Sequence, residues 1–191
     1  MTKDSIHRFI TRLETLGGIT SDSVPDRQAL ASLRRIHSTW PAVPPGAMRV
    51  VAPFLPEEDT GWRESLHYLI AALFALHPCS AGNEADRAQT FGLALRKAAF
   101  RDPAQGPERR LLALLGCRSE DLPDHLRHAA SYLRARDIPI DYRRLMQDLN
   151  WWDAGEGEVQ RRWGRDFWSG SGEDNSQKPE ETTAEETNHV R

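Results

Sequence analysis

The chain has 191 residues, 39% hydrophobic and 28% charged, with a net charge of −3, which suits one globular domain or two small lobes. After Trp168, six acidic residues against Lys178 and Arg191 give −4, so the body up to Trp168 carries +1. That balance excludes a protein that grips free DNA strongly by itself, while leaving room for a surface that binds inside a larger assembly.

Helical spacing dominates from the start, and strand alternation is nearly absent. Ile6, Phe9, Ile10, Leu13 and Leu16 make one stripe, stopped by Gly17-Gly18. Ser23 is placed to cap a second helix with Pro25 in its first turn and Leu30, Leu33 and Ile36 on its buried side. Trp40 to Pro56 is proline-rich and breaks the pattern around AMRVVAPFL. A third helix is predicted from about Trp62 to Leu76, ending before His77-Pro78. Ser80 to Gln89 is polar and reads as an exposed loop, followed by a short helix in TFGLALRKAA.

Four further helices are predicted at about Pro107–Leu115, Ser119–Arg136, Asp141–Trp151 and Glu156–Trp168, punctuated by Gly116, Ile138-Pro139 and Ala154-Gly155. The expected architecture is all-α, with two packed helical lobes. The N-terminal lobe covers residues 1–100 and the C-terminal lobe, a four-helix bundle, residues 101–168. Residues 169–191 are polar and acidic without apolar periodicity, and read as a disordered tail.

Cys79 and Cys117 are isolated, so they read as reduced thiols of a cytoplasmic protein and not as a disulfide framework. The N-terminal helix carries charges and is no signal peptide. LIAALFAL, at Leu69 to Leu76, is too short to span a bilayer.

Twenty-two of the twenty-five basic residues are arginines. A guanidinium offers a rigid fork suited to phosphate, although a high-GC coding sequence produces the same bias. At 100° per residue, Arg27, Arg34 and Arg35 lie opposite the stripe of their helix. Arg127 and Arg134 repeat that seven-residue row on the helix containing Leu122, Leu126 and Leu133. Arg109 and Arg110 point away from four leucines, and Arg143 with Arg144, and Arg161 with Arg165, are likewise placed outward. One reading is a track for a phosphate backbone, held by charge and indifferent to sequence. The other is a set of solvated faces pairing weakly with Glu108, Asp124 and Asp148.

Several pieces occur in a particular order: DRQALASLRR, VVAPFLP, LIAALFALHP, FGLALRKA, ERRLLALL, a helix with HLR, IPIDYRRLMQDLNWW and VQRRWGRDFW. In that order and spacing they resemble the CasB family, the small subunit of the type I-E CRISPR Cascade complex. The likeness covers nearly all of Met1 to Trp168. It implies a two-lobed helical subunit without cofactor or catalytic activity, two copies of which lie side by side against the other Cascade subunits that carry the crRNA. Such a subunit supports the guide–target heteroduplex and the displaced non-target strand, stabilising the R-loop. Carried over to this chain, the resemblance favours Arg27, Arg34, Arg35, Arg109 and Arg110 as backbone contacts, then Lys97, Arg101, Arg127, Arg143 and Arg144. The acidic tail departs from the family pattern and is expected to hang free.

Other constellations are weaker. Trp152 and Trp163 fall on apolar stripes with Leu149, Val159 and Phe167, which points to core packing over base stacking, whereas Trp168 lies off its stripe and is free to meet a partner subunit. His125 and His128 share a helix face without a third metal ligand of matching character. No G-x-S-x-G, H-E-x-x-H or phosphate-loop motif is present. ERRLLALLGCRSEDLPDHLRHAASYL imitates the helix-turn-helix of a DNA-binding regulator, but Glu120, Asp121 and Asp124 at the head of its second helix would repel DNA. A helical scaffold that binds only protein is the remaining alternative.

Overall fold

The computed structural model describes residues 1–56, 61–79, 89–101, 106–154 and 156–169. Among them every regular element is helical: α1 (Lys3–Leu16), α2 (Arg27–Thr39), α3 (Pro45–Val51), α4 (Trp62–Leu76), α5 (Phe91–Arg101), α6 (Gly106–Leu115), α7 (Leu122–Arg134), α8 (Tyr142–Leu149) and α9 (Glu158–Trp168), with a 3-10 turn at Ala52–Phe54. The loop expected over Ser80 to Gln89, except for Gln89, and the acidic tail from 170 onward lie outside the described residues. No helix among the described residues is long and apolar enough to cross a membrane.

The apolar stripes account for most of this. Ile6, Phe9, Ile10, Leu13 and Leu16 are all buried on α1, and the chain leaves the helix through Gly18 at φ +70°, a conformation that disfavours side chains with a Cβ. Four details differ from the sequence reading. The cap of α2 is Asp26, whose carboxylate accepts from the Ala29 N–H at 2.9 Å, and Ser23 instead bonds locally with Thr20. The proline-rich passage is not irregular throughout, because Pro45 can occupy the first turn of α3, where its missing N–H costs nothing. Ser119 to Asp121 form a turn, so α7 begins at Leu122 with Pro123 in its first turn. Gln89 is buried: its amide donates to the Pro139 carbonyl at 3.0 Å and accepts from Lys97.

The central element is α4, whose residues Leu66 to Ala75 are all buried. It packs against α2 and α3 on one side and α7 and α8 on another. The end of α4 is stitched to the α7–α8 connection. His77 shares a hydrogen bond with the Ile138 carbonyl at 2.8 Å, and the Ile140 N–H donates to Cys79 Sγ at 3.3 Å. The Tyr142 hydroxyl lies within hydrogen-bond distance of the Leu73 and His77 carbonyls, at 3.0 and 2.9 Å.

Helix packing does not follow chain order. α5 lies on α6, α7 and α9, so a border at residue 100 separates it from the helices it covers. α8 packs chiefly on α1 and α4, and Trp62 Nε1 donates to the Leu149 carbonyl at 3.0 Å. The buried residues of both halves form one continuous core. Trp152 and Trp163 are its largest members, 5.0 Å apart between ring centroids.

Candidate nucleic-acid interface

The structure sorts the candidate cations into three groups. The first is the outer face of α2. Arg27, Arg34 and Arg35 are exposed there and have no side-chain hydrogen bond or ion pair among the described residues, because Leu30, Leu33 and Ile36 turn the opposite face into the core. Arg127 of α7 lies near the end of this row. Its charge, with that of Asp124, reaches His37 of α2. Burial is the main cause holding the His37 imidazole below its usual pKa, and Arg127 acts in the same direction. Arg127 also contacts Asp124 at 3.4 Å, a weak pair between exposed groups.

A second group forms around Tyr132 of α7. The guanidinium of Arg110 lies 4.1 Å from the ring centroid and that of Arg136 lies 3.6 Å from it. Arg110 is held from behind by its Nη1 donating to the Gly106 carbonyl at 2.9 Å. Arg101, at the end of α5, donates to the Arg136 carbonyl at 2.6 Å, and Lys97 lies one turn earlier on the same helix. Arg109 is exposed beside Arg110. Four of the sequence candidates, Lys97, Arg101, Arg109 and Arg110, are therefore brought to one region by the packing of α5, α6 and α7. Arg110 does not point straight outward as its helix position suggested, since the aromatic ring draws it across.

The third group consists of Arg143 and Arg144, expected to face outward on α8 and found otherwise. Arg143 forms a two-pronged pair with Glu14 of α1, at 2.9 and 2.6 Å, and Glu14 is itself buried. Arg144 Nε donates to Asp148 Oδ1 at 2.9 Å. Asp148 is 2% exposed and also accepts from Arg162 at 2.6 Å and from Trp163 Nε1 at 2.7 Å. The sequence reading placed Asp148 among surface acids. It is instead the buried carboxylate that ties α8 to α9, and charges buried in this way need such partners. Likewise only Leu111 and Leu114 of the four α6 leucines are fully buried, while Leu112 is 53% exposed.

Arg136 and Tyr132 were not singled out from sequence. The signal was present in their i, i+4 spacing near the end of α7, which stacks a cation over an aromatic ring. Among the described residues no three His, Cys, Asp or Glu side chains gather to hold a metal. Burial pushes both thiols, Cys79 and Cys117, up to about 11, so they stay protonated and poorly nucleophilic at neutral pH.

Comparison with known proteins gives consistent results. Residues 29–168 match the family model for CRISPR-associated protein Cse2. A CRISPR-associated protein Cse2 from Thermus thermophilus is 35% identical over 183 residues, covering 93% of this chain and 97% of that protein. The crystal structure of M. ruber CasB superposes with a TM-score of 0.69 at 26% identity, covering 87% of this chain and 93% of its own. A chain of a CRISPR RNA-guided surveillance complex superposes with a TM-score of 0.67 at 27% identity, covering 86% and 92%.

Proposed function

Because this chain belongs to the CRISPR-associated Cse2 family, we propose that it is the small, non-catalytic subunit of a type I-E Cascade surveillance complex. In this reading it holds the backbones of the crRNA–target heteroduplex and of the displaced non-target strand, and so stabilises the R-loop. It works alongside the crRNA-bearing subunits and a second copy of itself. A neighbour of similar fold is part of an RNA-guided surveillance complex, which supports the assembly.

The observation that carries the backbone contact is the contrast between paired and unpaired guanidinium groups. Arg143, Arg144 and Arg162 are committed to internal carboxylates, whereas the α2 row of Arg27, Arg34 and Arg35 meets none among the described residues. R-loop formation is a near-balanced exchange of base pairs, so a few phosphate contacts tip it without reading any base. The Tyr132 group, with Arg101, Arg110 and Arg136, supplies a second basic region, and Lys97, Arg109 and Arg127 extend the two. A regulator that reads bases fits less well: Asp124 is exposed in the first turn of α7, where a recognition helix would meet phosphate rails.

The test is charge reversal at Arg34→Glu and Arg109→Glu together, in the assembled complex. Affinity for a matched target duplex should fall, and the slope of log affinity against log salt should lessen by about 0.9 for each phosphate no longer neutralised. Unchanged affinity and slope, with the complex still assembled, would leave the protein-only scaffold as the better account.

A further inference from the structure

The face of α9 that carries Arg161, Arg165 and Trp168 is not used by the reading above, and it has the makings of a separate site. These three residues fall within about 60° of one another around the helix. Together with Leu115, Gln160, Gly164 and Ser169 they line an open, largely apolar hollow of about 710 Å³. The tryptophan is fixed in place. Its Nε1 donates to Glu108 of α6 at 3.1 Å, and Phe167 meets it edge to face with ring centroids 5.4 Å apart. Gly164 leaves the room for this pose, since a Cβ there would come to 3.0 Å from the indole ring. Even so, 40% of Trp168 remains exposed.

The Glu108 carboxylate meets the indole edge, while the charged residues lining the hollow itself, Arg161 and Arg165, are cationic. Among the described residues no acidic side chain lines the hollow and Arg165 has no hydrogen-bond or ion-pair partner, while Arg161 donates one N–H to the Glu156 carbonyl. A flat aromatic wall beside two guanidinium groups answers the two parts of a nucleotide, the base by stacking and the phosphate by charge. An apolar side chain of a partner protein would gain more from a closed pocket than from this shallow one.

We infer that Trp168 is a stacking platform for one unpaired nucleobase, with Arg161 and Arg165 on the adjoining phosphates. The inference rests on the backbone-contact reading, and it adds a preference for single strands that phosphate contacts alone do not provide.

The experiment uses the full chain at low salt, titrated with a 12-nucleotide oligothymidine and with the same strand carrying abasic positions. Trp168→Leu should weaken binding to the intact strand about tenfold while leaving its salt slope unchanged, since every cation that meets a phosphate is still in place. The abasic strand should bind the native chain as weakly as the intact strand binds Trp168→Leu. Trp168→Phe, which retains a ring, should recover most of the affinity and thereby separate stacking from misfolding. Salt-dependent binding that ignores both Trp168 and the bases overturns the platform but leaves the backbone reading intact. Absence of salt-dependent binding by every form, in isolation and in the assembled complex, overturns both. If Trp168→Leu binds oligonucleotide normally but loses the other subunits of the complex, the hollow docks protein and the inference fails.

Discussion

Replacing Asp148 by alanine would remove the acceptor of three donors at once, and the structure fixes how unequal the three losses are. Trp163 is fully buried, so its indole N–H would be stranded without water, at a cost of about 1–3 kcal/mol. Arg144 and Arg162 are 23% and 37% exposed, so each can turn partly to solvent and contributes about 1 kcal/mol or less. The expected destabilisation is therefore about 3 kcal/mol. For a chain of this size that lowers Tm by roughly 6–12 °C, read by calorimetry on the full chain. Asp148→Asn keeps an acceptor oxygen for Trp163 and should lose about half as much. In a double-mutant cycle with Trp163→Phe the two effects should fall short of additivity, because they delete the same bond. A Tm within about 2 °C of the native value for Asp148→Ala would refute the reasoning, and show that this carboxylate is not the tie between α8 and α9. The variant also frees Arg144, so the salt slope of nucleic-acid binding should not decrease.

Gly92→Ala tests the closest helix crossing: a Cβ on this α5 residue would collide with the backbone carbonyl of Trp163 on α9. Alanine is the better helix former by about 1 kcal/mol, yet the overlap with rigid backbone should outweigh this and give a net loss of about 1–2 kcal/mol or more in denaturant unfolding; a stabilised variant would show that the helices can part. His67 and His77 are held below the usual imidazole pKa chiefly by burial, so the folded chain resists a proton that the unfolded chain accepts near 6.5. Their contribution is complete above that pH and is lost as the pH falls through it, at no more than about 1.4 kcal/mol per pH unit for each histidine. Tm should drop between pH 7 and pH 5, His77→Gln should flatten the drop, and a Tm indifferent to pH over this window would contradict the assignment.

The apolar periodicity of Ile6 to Leu16, Leu30 to Ile36 and Leu122 to Leu133 made α1, α2 and α7 legible, since a long apolar stripe at helical spacing rarely arises without a helix that buries it. The same wheel misjudged α8. Opposite-to-stripe means solvent only when nothing else packs there, and α1 covers Arg143 with Glu14, 129 residues away in the chain. Long-range ion pairs of this kind leave no local trace. Asp148 is the sharper case: a carboxylate between Gln147 and Leu149 reads as surface until three donors from two helices are seen to converge on it. Resemblance, resting on the order of short pieces over the whole chain, supplied the family, and helix-by-helix reasoning could not have done so.

The all-round burial of α4 has a mechanical corollary. With α2 packed on one flank and α7 on another, the α2 arginines and the ring-stacked cations of Tyr132 are borne by one shared keel. Their separation is then a built-in gauge. On the proposed function, a polyanion whose phosphates already match that interval would dock with little loss of internal freedom, whereas one of another pitch would itself have to deform.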